Sequence, residues 1–215
     1  MSLFRSLPAP RRILAIAGLS LLTVSGCISK PVQSIAQLEA GNYTLDKSHA
    51  SLTFAVQHMG LAWYTMRFND FDATVKFDAD NPENSSVSAI IDPFSIDANH
   101  PEKGAEWDNE LATDDRFLSA NKYPDITFTS TSLKRLSDTT GLLTGDLNLL
   151  GVTKPISMDV TFHGSNTVPW APDKAILGFS AKGSFNRSEF GMTSLLPNTV
   201  SDEVRFQIEV EFGEN

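Results

Sequence analysis

Cysteine and basic residues are both scarce in this sequence. Cys27 is the only cysteine among 215 residues, which excludes an intrachain disulfide. Lysine and arginine number 17 against 26 acidic residues, so the net charge is −9. A chain of this charge is repelled by phosphate backbones, and we predict that it binds no nucleic acid.

Motifs for catalysis and metal binding are also missing. The sequence has no G-x-S-x-G turn, phosphate-binding loop or zincin motif, and its four histidines form no His-x-x-x-His pair. Asp46 and His49 are spaced as an acid–base pair with Ser48 between them, but the same residues are typical of an Asx turn. We predict no enzyme and no metal site. The alternative of a lipid-modifying barrel enzyme would require Asp46, His49 or His58 to line a pocket.

A processing signal opens the chain. Three arginines precede the apolar run 13–24, which is too short to span a membrane comfortably. Small residues and Cys27 follow directly, an order that is typical of a cleaved export signal. Removal of residues 1–26 takes away three arginines and no acid, so the mature charge would be −12, from 14 basic and 26 acidic residues.

The segment Val24-Ser25-Gly26-Cys27 resembles a bacterial lipobox, with valine where leucine is usual. We therefore predict a lipoprotein signal peptide over 1–26, acylation of Cys27 by palmitate or similar chains, and a tether over 27–41. A plain secretory signal with an incidental thiol is the alternative. Ile28, rather than aspartate, follows the cysteine and favours the outer over the inner membrane, on the periplasmic side of a Gram-negative envelope.

Residues 42–215 form the predicted folded domain, and alternating apolar and polar positions dominate it. In the last stretch, apolar side chains occupy every second position from Val204 to Phe212. Such alternation gives a strand one apolar face. Similar patterns occupy 51–57, 68–78, 87–91, 126–130, 142–162 and 176–185. About eight strands of this kind predict an all-β fold, either an antiparallel barrel or a sandwich.

The segment from Pro101 to Leu118 interrupts the strands. Trp107 and Leu111 are four positions apart, which predicts a short amphipathic helix. An eight-stranded barrel is just wide enough either to be filled by side chains or to hold one small ligand. The inward positions combine phenylalanine with alanine, and this mixture is compatible with both interiors.

Several motifs in order resemble the YceI-like family of exported proteins. They are Tyr43-x-Leu45-Asp46-x-x-His49, Tyr123-Pro124-Asp125-Ile126-Thr127-Phe128, Leu143-Thr144-Gly145-Asp146-Leu147, Phe185-Asn186-Arg187-Ser188-Glu189-Phe190 and Val200-Ser201-Asp202-Glu203-Val204. The resemblance covers nearly everything from Tyr43 to Phe212. It implies an eight-stranded, lipocalin-like antiparallel barrel around a long apolar tunnel. The lipobox departs from family members that are freely soluble in the periplasm.

The resemblance further implies a protein that binds, stores or transports a polyisoprenoid, an isoprenoid quinone or a similar long-chain amphiphile, with no other cofactor. The predicted ligand-binding residues are Leu52, Phe54, Val56, His58, Phe71, Val75, Phe77, Phe128, Met158, Val160, Arg187, Phe206 and Ile208. For Arg187 the alternative is a salt bridge to Glu189 or Asp202. For the whole chain the alternative is an anchored interaction module with a packed barrel, and a homodimer is left open.

Overall fold

The computed structural model describes residue 31 and the ranges 38–169 and 171–214, so the predicted signal peptide and Cys27 lie outside the described residues. The strands are β1 (Gly41–His58), β2 (Ala62–Phe68), β3 (Phe71–Phe77), β4 (Ser86–Ile91), β5 (Ile96–Asp97), β6 (Ile126–Arg135), β7 (Thr140–Leu149), β8 (Val152–Val168), β9 (Ala171–Asn186) and β10 (Val200–Glu214). One α-helix, α1 (Ala105–Thr113), lies between β5 and β6 in the described ranges. In those ranges, no helix is both long enough and apolar enough to cross a membrane.

Eight of these strands close a ring. The order β1-β3-β4-β6-β7-β8-β9-β10 returns to β1 through the pairing of β10 with β1, and every pairing is antiparallel. The predicted eight-stranded antiparallel barrel is therefore confirmed. Closure leaves no exposed sheet edge along the ring.

Two short strands extend the barrel wall, β2 in line with β3 and β5 in line with β4, and the sequence pattern predicted neither. Residues 41–44 of β1 pair with β3, whereas residues 52–58 pair with β2, which in turn pairs with the two-residue β5. The single strand expected over 68–78 is wrong at its start. The chain turns at Asn69, whose backbone N–H donates to the carbonyl of Ser95 at 3.0 Å, and β3 begins only at Phe71.

The barrel has two distinguishable ends. At the hairpin end, β1 finishes at His58 and β10 begins at Val200, which are paired. At the termini end, Tyr43 pairs with Glu214. The amphipathic segment was correctly predicted as helical but is shorter than Pro101 to Leu118. Its α-helix buries Leu111 and Ala112 and continues into a turn that brings Phe117 against Trp107, with ring centroids 6.1 Å apart.

Candidate ligand-binding cavity

The interior of the barrel is hollow. A cavity of about 840 Å³ extends from His58 and Val200 at the hairpin end to Phe77 and Leu133 towards the termini end. Most of its wall consists of alternate, inward-facing strand residues, so the pattern that closes the barrel also makes its lumen apolar. Side chains therefore do not fill this barrel, contrary to the packed interior that an interaction module would have.

Every residue that the sequence analysis placed on the ligand lines this cavity. The residues are Leu52, Phe54, Val56, His58, Phe71, Val75, Phe77, Phe128, Met158, Val160, Arg187, Phe206 and Ile208. Contact with a ligand stays a prediction, but one continuous surface brings all of these positions together.

The sequence analysis missed the part of the wall that strands do not supply. Trp107 and Leu111 of α1 line the cavity together with Phe117 and Leu118 from the following turn. The spacing of Trp107 and Leu111 had indicated an apolar helix face, but not which surface it covers. Tyr64 of β2 also lines the cavity, and its hydroxyl donates to the carbonyl of Ala98 at 2.6 Å. Burial raises the pKa of Tyr64, so this donor stays protonated.

Two glycines leave space in the wall for phenyl rings from neighbouring strands. A Cβ atom on Gly145 would lie 2.3 Å from Cζ of Phe128, and one on Gly183 would lie 2.6 Å from Cζ of Phe206. Each ring occupies the space that a larger residue would take on the neighbouring strand. The bulk of Phe128 and Phe206 is thereby accommodated beside the wall, which leaves room along the axis of the lumen.

Arg187 is a cation at the hairpin end of this apolar wall, and only 3% of it is exposed. Its Nε donates to the carbonyl of Ser201 at 2.9 Å, and Nη1 to that of Met192 at 3.2 Å. Its Nη2 donates to the carbonyls of Ser194 and Val200 at 2.8 and 3.4 Å. Burial lowers the pKa of Arg187 below its usual value, and the nearby Asp202 carboxylate partly opposes that shift.

The salt bridge considered for Arg187 is not formed with Glu189 or Asp202 in the described residues. Asp202 instead accepts from the backbone N–H and the hydroxyl of Ser188, at 2.8 and 2.7 Å. Arg187 therefore holds the 192–201 segment in place with most of its five N–H groups, while still facing the cavity.

Asp46 and His49 lie outside the barrel, on a bulge of β1. Between Leu45 and Ala50 the pairing with β10 shifts, and residues 46–49 project from the wall. Oδ2 of Asp46 lies 2.9 Å from Nδ1 of His49, and its Oδ1 accepts from the backbone N–H of Ser48 at 2.9 Å. The Asp46–His49 interaction and the Asx turn are thus both present.

This bulge is electrostatically coupled to β10. Oε2 of Glu211 lies 3.8 Å from Nδ1 of His49. The hydrogen bond to Asp46 raises the pKa of His49, with the charges of Asp46 and Glu211 adding to the shift, and the same hydrogen bond lowers the pKa of Asp46. The three side chains are close enough to share one cation, but all are solvent-accessible. Among Asp46, His49 and His58, only His58 lines the cavity.

The closed ring, its helix and its apolar lumen define a lipocalin-like container. The YceI-like domain matches residues 43–212, and the chain belongs to that family, as the motifs indicated. Protein YceI of Shigella flexneri is 41% identical over 175 residues, which cover 80% of this chain and 86% of that protein.

Solved structures share the barrel. The Campylobacter jejuni YCEI protein aligns with a TM-score of 0.65 and 33% identity, covering 80% of this chain and 98% of that one. A polyisoprenoid-binding domain from Saccharophagus degradans aligns with a TM-score of 0.58 over 82% of this chain and all of its own length, at 13% identity, and shows a shared fold.

Proposed function

We propose that this protein is a periplasm-facing lipoprotein that binds, stores or transports a polyisoprenoid, an isoprenoid quinone or a similar long-chain amphiphile inside its barrel. The observation that carries the proposal is the continuous apolar cavity of about 840 Å³. Its volume lies in the upper part of the range of about 300–1,000 Å³ that is typical of small-molecule sites.

The chemistry of the wall favours an extended hydrocarbon tail. Among the lining residues, Phe54 and Phe68 stack with centroids 4.9 Å apart, and the ring centroids of Phe179 and Phe212 are 6.1 Å apart. Such a surface offers no directional bonds, so the gain comes from removing the tail from water, at about 0.8 kcal/mol per buried CH₂ group. The polyisoprenoid-binding description of the Saccharophagus domain supports this ligand class.

The polar residues at the hairpin end suit a head group. His58 and Arg187 both line the cavity there. One N–H of Arg187 Nη1 is not used by the four carbonyl contacts. A quinone oxygen or a phosphate at this end would meet a cation and a ring nitrogen, whereas a tail would lie among the phenyl rings.

Anchoring is the second part of the proposal and rests on the lipobox. Acylation of Cys27 would fix the barrel to a membrane through a short tether. Two or more acyl chains make such attachment stable, since a single chain binds only marginally. The mass of the N-terminal peptide from the exported protein tests this directly, with Cys27→Ser as the matched control. An unmodified thiol on the exported protein would refute the anchor and leave the container unaffected.

Native mass spectrometry of the barrel, followed by organic extraction, tests the container. We expect a stoichiometric long-chain molecule that survives purification, or uptake of a prenyl quinone supplied in detergent. A barrel that stays empty and takes up no prenyl quinone would refute the carrier and favour an interaction module.

A further inference from the structure

Four exposed apolar side chains gather at the hairpin end, and we call them the apolar rim. Met59, Leu61 and Trp63 belong to the β1–β2 hairpin, and Leu195 to the segment before β10; their exposed fractions are 59, 82, 36 and 45%. The backbone N–H of Met59 donates to the carbonyl of Thr199 at 2.8 Å, which joins the two segments. Trp63 and Leu195 also line the cavity, so the rim borders an opening of the tunnel.

The rim is free of formal charge in a strongly acidic chain. Residues 58–66 and 190–201 contain no aspartate, glutamate, lysine or arginine, although 20% of the whole chain is charged. Towards the termini end, by contrast, Arg135 lines the cavity, with Asp138 3.4 Å from its guanidinium and Glu83 accepting from its backbone N–H at 3.1 Å. The tips of the two loops therefore carry no charge of their own that would have to leave water on entering an apolar phase, although Asp97 and Asp108 lie beside β2 behind them.

An aromatic and a cation flank the opening on its outer side. The guanidinium of Arg205 lies 3.8 Å from the ring centroid of Trp63 and also pairs with Glu203 at 3.1 Å. Tryptophan concentrates at the level of lipid head groups, and arginine extends its charge towards the water–lipid boundary. The stacked pair would therefore mark the depth at which the surface of a bilayer meets the barrel.

We propose that the apolar rim docks on the surface of a lipid bilayer and places Met59 and Leu61 among the acyl chains, so that the tunnel opens into the membrane. The inference rests on the proposed function, because a prenyl tail is insoluble and each loading or release step must begin or end in a bilayer. Four side chains on two loops cannot supply the area of about 800 Å² per partner that a stable protein interface buries. A projecting tip of this size can insert into a bilayer.

The test is binding of the predicted mature chain to phosphatidylcholine vesicles in a flotation assay, with the protein produced from residue 28 onward so that it carries no acyl chain. Leu61→Asp removes the most exposed rim side chain, and we expect it to reduce the vesicle-bound fraction at limiting lipid by about tenfold or more. Leu136→Asp is the matched control, since Leu136 is 59% exposed, follows β6 towards the termini end and does not line the cavity. Both sites are exposed, so both variants should keep the melting temperature of the original chain.

Three results would overturn the docking proposal: no binding by the original chain, unchanged binding by Leu61→Asp, or equal losses in both variants. If binding by Leu61→Asp is unchanged, light scattering on the same samples shows whether the substitution has instead dissociated a dimer formed through the rim. Uptake of a prenyl quinone from detergent separates this proposal from the one on which it rests. If the original chain takes up the quinone but Leu61→Asp binds vesicles as well as the original chain does, the docking proposal alone is refuted. If the original chain takes up no quinone, the proposed container function is refuted.

Discussion

Narrowing the lumen at its middle should weaken ligand binding without unfolding the barrel. Ala181 on β9 is buried, lines the cavity and is paired with Val160 and Ile208, which also line it. The substitution Ala181→Phe adds a phenyl ring to the wall and displaces about one five-carbon isoprene unit. At about 0.8 kcal/mol per buried carbon, the loss is about 4 kcal/mol at most, or about a thousandfold in affinity.

Because a tail can bend around the new ring, the expected loss lies between about tenfold and a thousandfold. The ring enters empty space rather than a packed core, so the melting temperature should fall by no more than about 3 °C. Lys182→Phe is the matched control, since residue 182 is the exposed neighbour on the opposite face of the same strand. Fluorescence titration with a prenyl quinone measures the affinities. Equal affinity for Ala181→Phe and the original chain would show that the tail does not lie in the lumen.

Three other perturbations test the structure around the cavity. Arg187→Lys should lower the free energy of unfolding by about 3 kcal/mol in denaturant titration, since one ammonium group cannot serve four carbonyls. Gly145→Ala should cost about 1–3 kcal/mol because the new Cβ meets a ring at 2.3 Å, whereas Gly213→Ala, with nothing within 4 Å, should be neutral in the same assay. Because the pKa of His49 is raised in the folded state, protonated His49 stabilises the fold at low pH, and this stabilisation is lost as the pH rises through the folded-state pKa. Asp46→Asn should lower the pKa of His49 in an NMR titration. An unchanged pKa would contradict the hydrogen-bond explanation.

The strand pattern predicted the barrel because, along each strand, every second residue is apolar and faces the interior. The alternation from Val204 to Phe212 lies wholly within β10, and the same rule placed the predicted lining residues on the cavity wall. The missed strand β2 carries the same signal, since Tyr64, Met66 and Phe68 alternate with exposed positions. The prediction left it out because the alternation was followed only from Phe68 onward, whereas β2 begins at Ala62.

Other features depend on tertiary placement and leave no periodic signal. The carbonyls that surround Arg187 come from the irregular residues Met192 and Ser194 and from the start of β10, and backbone carbonyls leave no mark in the sequence, which suggested a carboxylate partner instead. Glu211 reaches His49 only because β10 pairs with the bulged part of β1. The hollow interior itself depends on summed volumes around the ring, and alternation of large and small residues is equally compatible with a filled barrel.

The register between β1 and β10 also determines at which end of the barrel the two chain termini emerge. Since Tyr43 pairs with Glu214, both chain ends leave the barrel on the side away from His58. The 15 residues of β10 span a height on the order of 40 Å, at about 3.3 Å per residue and a strand tilt of about 40°. A membrane anchor, a fusion partner or a sensor chip joined to either terminus is therefore joined at the end opposite the apolar rim. Attachment of this kind does not cover the rim, which stays accessible to a second surface.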